Sequence, residues 1–300
     1  MQEYIIKLDK LTKKFGTFDA VNQVNLEIPR CCFALIGPNG SGKSTIISML
    51  LGLSRPSEGT GTIFQYKIWK DREKINEIVG FVPEYTAFNE ELTAYDLIKY
   101  TLGLRLSTHI PEQYLEEVEI SRLFWRKKIK TYSRGMKQRL AIGIAIAANP
   151  PVLILDEPLQ NLDPIGRESM IKLLRKLRIK GTTILFTSHV IQDIQEIADY
   201  IAIINRGKIK FVGHKLLLAQ TTGVFEFELK SPNNKLNEIY TLLQDKNKFQ
   251  SALPYLLEDS IIFKSKTPYS ILTWAQSIDR EVLIQPTSSG FYKIYEKAME

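Results

Sequence analysis

The sequence predicts an α/β fold: a mostly parallel sheet covered by helices on both faces, with antiparallel strands at the N-terminus, a helical insertion and a small C-terminal α+β domain. Three observations point there. Short apolar strands, Phe33–Ile36, Val152–Leu155 and Thr182–Thr187, alternate with helical segments, as in sheets whose strands are joined by helical crossovers and buried on both faces. A glycine-rich loop at Gly37–Thr45 joins the first of these strands directly to a helix. From about Ala94 to Ala148 the pattern turns helical, and after about Leu218 the alternation starts afresh.

Taken in order, Tyr4–Leu8 and Val24–Ile28 read as early strands. Ser44–Leu51 carries apolar residues at helical spacing, and Gly52 supplies its stop. Val79–Pro83 reads as a strand leading into a polar stretch. Within the insertion, Asp96–Leu102 and Glu112–Glu119 are the clearest helices, and a longer apolar helix at about Lys137–Ala148 is broken by Asn149-Pro150-Pro151. Val152–Leu155 is followed by a helix at about Ile165–Ile179, the strand Thr182–Thr187, a helix at Val190–Ala198 and a hairpin near Ile201–Val212. Gln220-Thr221-Thr222-Gly223 has the composition of a linker and divides a first domain, residues 1–218, from a second, residues 223–300. In the second, Val224–Lys230, Ile261–Lys264 and Val282–Gln285 read as strands, and Lys235–Gln244, Ser270–Ile278 and Gly290–Ala298 as helices.

Length and composition agree with two domains. A chain of 300 residues exceeds one ordinary core. No apolar run approaches the roughly 18 residues that a membrane-crossing helix needs. The start, Met1-Gln2-Glu3-Tyr4, lacks a basic region followed by an apolar stretch, so a cytoplasmic chain is expected. The net charge of +7 comes from lysines and arginines spread along the sequence, which gives no reason to expect direct nucleic-acid binding. Cys31 and Cys32 are adjacent, with Cα atoms about 3.8 Å apart, closer than a disulfide prefers; they read as reduced core residues.

The loop Gly37-Pro38-Asn39-Gly40-Ser41-Gly42-Lys43-Ser44-Thr45 fits the spacing of a phosphate-cradling loop between strand and helix. Glycines let backbone amides approach a phosphate closely, and the helix start adds its positive dipole end. In this chemistry Lys43 reaches the β- and γ-phosphates of ATP and the Ser44 hydroxyl ligates Mg2+. A second element, Val152-Leu153-Ile154-Leu155-Asp156-Glu157, sets two carboxylates at the end of a buried strand, where open α/β sheets bind ligands. Asp156 suits the Mg2+ shell, and Glu157 suits a base that takes a proton from attacking water. Either element alone also fits a structural reading, a glycine-rich turn or an ordinary strand end.

Together, and in this order across about residues 1–215, these motifs resemble the ATP-binding-cassette (ABC) ATPases, the motor subunits of ABC transporters. Tyr132-Ser133-Arg134-Gly135-Met136, with the basic tail Lys137-Gln138-Arg139, resembles the family's Leu-Ser-Gly-Gly-Gln signature, departing from it at Tyr132, Arg134 and Met136. The resemblance implies that Ser133, Arg134, Gly135 and Met136 meet the ATP held by an opposite protomer; a plain helix cap at Ser133 is the simpler reading. It also implies that Asp163, in Asn161-Leu162-Asp163, crosses a dimer interface, that His189 contacts the γ-phosphate and orients the base, and that Phe15 stacks on adenine, although a core aromatic is the alternative for Phe15. Where the family usually has Gln, about 40 residues beyond Lys43, this chain has Glu84. A carboxylate can meet Mg2+ but cannot donate a hydrogen bond unless protonated.

The resemblance implies an ATP-hydrolysing subunit, homodimeric or paired with a second ATPase, working with a separate integral membrane permease subunit at the inner face of the cell membrane. The wording of the motifs around Glu84 and Ser133 is most similar to bacterial export-type systems for drugs, peptides or ions. A non-transport relative acting on nucleic acid or ribosomes is the alternative; the roughly 110 residues between Lys43 and Asp156 hold no heptads, and the chain has a single cassette. A small-metabolite kinase would have no use for Ser133, Asp163 or His189.

Overall fold

A computed structural model describes residues 4–215, 225–233, 235–244, 252–257, 259–265 and 268–286. The chain divides into two compact units, Met1–His189 with Glu196–Ile209, and Val190–Gln195 with Lys210–Glu300.

In the first unit, β1 (Tyr4–Phe15) and β2 (Phe18–Pro29) form a long antiparallel hairpin whose turn is Gly16-Thr17. Both strands run well past the short apolar cores that the sequence offers, because only alternate side chains face the interior: Ile6, Leu8, Val24, Leu26 and Ile28 are buried, while Lys7, Asn25 and Glu27 are exposed. Strand β4 (Glu58–Ile63) pairs with β1 and then with the short β5 (Tyr66–Lys67), giving the order β2-β1-β4-β5. The sequence reading had no strand at β4, since Glu-Gly-Thr-Gly-Thr resembles a turn. A side chain at Gly59 would meet the Lys10 carbonyl oxygen at 2.2 Å, so the glycine lets two backbones close up.

Five strands of the central sheet, β3 (Cys32–Ile36), β6 (Val79–Val82), β7 (Val152–Leu155), β8 (Thr183–Ser188) and β9 (Tyr200–Asn205), lie in the order β9-β3-β8-β7-β6, and the four neighbouring pairs among them are parallel. Residues of β3, β7 and β8 are buried throughout, as a sheet sandwiched between helices requires. The helices of this unit are α1 (Lys43–Leu50), α2 (Arg72–Ile78), α3 (Ala94–Leu104), α4 (Pro111–Glu117), α5 (Arg134–Ala145) and α6 (Pro164–Ile179), while most of α7 (Ile191–Ile197) counts with the second unit. Cys31 and Cys32 are buried and not joined in a disulfide, as expected, and burial beside Asp199 pushes the Cys31 thiol up to about 12.

Two boundaries in the insertion differ from the sequence reading. Helix α5 begins at Arg134, three residues before the apolar run, because the Ser133 Oγ accepts a hydrogen bond from the Met136 N–H at 3.2 Å and caps it. It stops at Ala145 because Ala148 and Asn149 adopt left-handed backbone ahead of the prolines. The predicted hairpin near Ile201–Val212 is present as β9, a turn at Arg206-Gly207 and β10 (Lys208–His214), yet β9 takes its place in the sheet by pairing with β3.

In the second unit, β11 (Phe225–Lys230), β12 (Ala252–Leu256), β13 (Ile261–Ser265) and β14 (Leu283–Pro286) form an antiparallel sheet in the order β12-β13-β11-β14, accompanied by α8 (Leu236–Leu243) and α9 (Pro268–Ile278). Phe227 and Phe263 stack in its core with ring centroids 5.7 Å apart. Strand β12 escaped the sequence reading because Pro254 interrupts it, and a proline argues against an inner strand; β12 is an edge strand. The predicted linker at 220–223 and final helix at 290–298 lie outside the described residues.

Candidate active site

Parallel pairing brings four strand ends to one edge of the sheet. Ile36 of β3 pairs with Ser188 of β8, Leu155 of β7 with Phe186, and Val82 of β6 with Leu155. The residues that follow each strand therefore converge: Gly37 after β3, Glu84 after β6, Asp156 and Glu157 after β7, and His189 after β8. Together with the start of α1 and the ends of the β1–β2 hairpin, all of these but Gly37 line a cavity of about 480 Å3. Its lining includes Asn39–Thr45, Glu84, Asp156, Glu157 and His189, with Phe15 and Phe18 at the hairpin end. A larger hollow of about 840 Å3 lies around Tyr114, Lys176 and Lys180, away from these strand ends, and Glu117 takes up both of its lysines at 3.5 and 2.5 Å.

The loop's glycines have two distinct tasks. Gly42 sits at φ 108°, a backbone few side chains tolerate, and a Cβ there would stand 2.5 Å from the Ala20 carbonyl oxygen. A Cβ at Gly37 would meet the Ile204 carbonyl oxygen at 2.2 Å. Lys43 is buried, and its Nζ donates to the loop's own carbonyls, Gly37 at 2.8 Å and Pro38 at 3.2 Å. Glu157 Oε1 stands 4.0 Å from it. Burial holds the Lys43 ammonium below the usual lysine range, opposed by the charges of Glu157, Asp156 and Glu84.

Asp156 and Glu157 are both buried, at 7% and 9% exposure. The Thr187 hydroxyl, fully buried on β8, donates to Asp156 Oδ1 at 2.5 Å and accepts from the Glu157 N–H at 2.9 Å. Glu157 itself lies in left-handed backbone, φ 50°. Its Oε2 is 3.0 Å from His189 Nδ1. A hydrogen-bond-accepting carboxylate is thus buried at the cavity wall with its orientation set by a histidine, the arrangement of a general base.

Not every predicted site residue joins this cavity. Gly37, Pro38, Ser133, Arg134, Gly135, Met136 and Asp163 are not among its lining residues. Ser133 and Asp163 cap α5 and α6, the Asp163 carboxylate accepting from the Gly166 N–H at 2.7 Å. Phe15 is not a core aromatic, since it is 57% exposed, with the Lys13 ammonium 5.0 Å from its ring centre. Four residues at the site went unnoticed in the sequence, Ala20 on β2 among them. Phe18 is 62% exposed and pairs across the strand with Phe15; a second aromatic three residues on was the available signal. Gln160 also lines the cavity. Thr187 gave no signal beyond its place at a strand end.

The oxygen donors Ser44 and Asp156 line the same cavity, a hard set that fits Mg2+. Among the described residues no group of three or more acidic, histidine or cysteine side chains is placed to hold a metal alone. The donor chemistry therefore fits a hydrated cation whose shell is completed by phosphate oxygens.

Comparison with known proteins bears on the same residues. The family described as "ABC transporter" matches residues 21–160. A lantibiotic transport ATP-binding protein of Streptococcus pyogenes is 38% identical over 211 residues, covering 68% of this chain and 89% of that protein. A bacitracin transport ATP-binding protein of Enterococcus faecalis is 38% identical over 213 residues, covering 70% and 69%. An ATP-binding cassette solved as a dimer in a post-hydrolysis state with ADP and Pi is similar in fold, with a TM-score of 0.62, 28% identity and coverage of 70% of this chain and 98% of that one.

Proposed function

The chain belongs to the ABC transporter family as an ATP-binding subunit, and from that premise we propose that it powers export of a peptide antibiotic through a separate membrane permease. The observation that carries the catalytic part is the single cavity in which the loop Asn39–Thr45, Asp156, Glu157 and His189 meet. The export part is supported by the relatives named for lantibiotic and bacitracin transport. No described helix is long and apolar enough to cross a membrane, which suits a subunit that attaches to its permease at the inner membrane face. Residues 1–218 form the motor domain and 223–300 an accessory domain.

ATP binds with its phosphates on the amides of Gly40–Thr45 and its base against Phe15 and Phe18. Lys43 leaves the carbonyls of Gly37 and Pro38 for the β- and γ-phosphates. Ser44 and Asp156, with Glu84 lining the same cavity, would hold Mg2+, which would supply charge neutralisation of the phosphates. Glu157 takes the proton of the attacking water, oriented by His189. Ser133, Arg134, Gly135 and Met136 of a second copy close over the nucleotide, with Asp163 at the dimer contact. Support for an approach from outside comes from Gly135, where an added Cβ would meet nothing within 4 Å in its own chain.

Glu157→Gln tests the reading. The amide keeps the shape but loses the base, so ATP binding persists while turnover falls on the order of 100-fold or more, and an ATP-bound dimer accumulates in size-exclusion chromatography. Turnover at the wild-type rate would remove Glu157 from the role of base.

A further inference from the structure

We propose that Thr187 is a positioning residue that holds Asp156 and Glu157 in register, so that β8 grips the backbone of Glu157 while His189, just beyond the strand, meets its side chain. The proposal rests on the reading of Glu157 as the base. One buried hydroxyl makes both of its hydrogen bonds to this pair: it donates to Asp156 Oδ1 at 2.5 Å and accepts from the Glu157 N–H at 2.9 Å. A hydroxyl has one proton, and here it is committed to the carboxylate, which leaves a lone pair for the amide. The direction of both bonds follows from this, so the two carboxylate residues are tied together through one atom.

The tie matters because of the backbone it restrains. Glu157 has φ 50°, a conformation disfavoured for a residue with a Cβ, which persists only where neighbours hold it. The Glu157 N–H is one of those holds. Two residues further along the same chain, His189 contacts the Glu157 carboxylate at 3.0 Å. Strand β8 therefore contacts the backbone of Glu157 through Thr187, and the residue that follows the strand, His189, contacts its side chain; the register of β7 with β8, Leu155 opposite Phe186, puts both within reach. Removing the hydroxyl while keeping the volume frees the Glu157 peptide to relax, and the carboxylate then loses its alignment even with His189 in place. The phosphate contacts of the loop after β3 do not pass through this tie, and ATP affinity is therefore measured without Mg2+, so that the Asp156 end of the tie stays out of that reading.

Thr187→Val, Thr187→Ser, His189→Ala, Glu157→Gln and the double variant Thr187→Val/His189→Ala of the full chain are compared for ATP affinity, melting temperature and turnover, at a protein concentration where the wild type turns over. Thr187→Val is expected to lose tenfold or more in kcat with Kd for ATP within twofold of wild type, and Thr187→Ser to stay within threefold of wild-type kcat. Because both contacts act through Glu157, the double variant is expected to lose less than the product of the two single losses. A kcat loss below tenfold in Thr187→Val, an equal rise in Kd, a Thr187→Ser variant as slow as Thr187→Val, or a double variant at the full product would each overturn the proposal. If Thr187→Val does not fold, Thr187→Cys, similar in size and only weakly hydrogen-bonding, reads the same split. Glu157→Gln separates the two readings: normal turnover there removes the base itself, whereas a slow Glu157→Gln beside a normal Thr187→Val removes Thr187 alone.

Discussion

Glu157 shows how a residue can be legible as to type and illegible as to posture. Its place after Val152–Leu155 announces a carboxylate at a strand end, but nothing in the local sequence announces a left-handed backbone. That conformation is held by contacts from β8 and from His189 just beyond it, roughly 30 residues away in the chain. The same division holds for the base-binding end. Phe15 was visible as an aromatic beside a glycine; its exposure and its cross-strand partner Phe18 emerged only with the hairpin. Stacking on an aromatic face is worth about 1–3 kcal/mol per base, so Phe15→Ala and Phe18→Ala are each expected to weaken ATP binding roughly tenfold in calorimetric titration without lowering the melting temperature. Unchanged affinity in both would move the base elsewhere.

Among the elements, those read correctly carry strong apolar runs or a proline stop, such as β7 and α6. Those missed, β4, β5, α2 and β12, are short and partly polar, or interrupted by glycine and proline. Their pairing comes from neighbours: β4 is a strand because β1 lies beside it, and Gly59 permits that contact. Helix α5 belongs between these cases, with an apolar body that was legible and a first turn that depends on the Ser133 cap. Gly135 in that turn has negative φ and open space around it. Gly135→Ala is therefore expected to leave the melting temperature equal to or slightly above wild type, since alanine favours helix by about 1 kcal/mol over glycine. If a second copy's nucleotide packs there, the same variant loses at least tenfold in turnover while single-chain ATP binding is unchanged; full turnover would place the partner's phosphate elsewhere.

For the whole molecule, the residues proposed to bind phosphate and those that resemble the signature do not share a cavity within one chain. Hydrolysis that needs both is a property of a pair, so turnover per chain is expected to rise with protein concentration and level off as the dimer fills, while ATP affinity of the single chain stays constant. Turnover independent of concentration down to a monomer, verified by light scattering, would contradict the paired site. The sequence by itself determined the family, the α/β class, the phosphate loop and the acidic pair, because phosphate chemistry constrains residue type and spacing within a few consecutive positions. Tertiary structure alone decided the tie through Thr187, the second aromatic Phe18, the separation of Ser133 from Lys43's cavity and the strands at β4 and β12. Those depend on register between segments far apart in the chain, and a linear pattern carries no record of which strand ends will lie side by side.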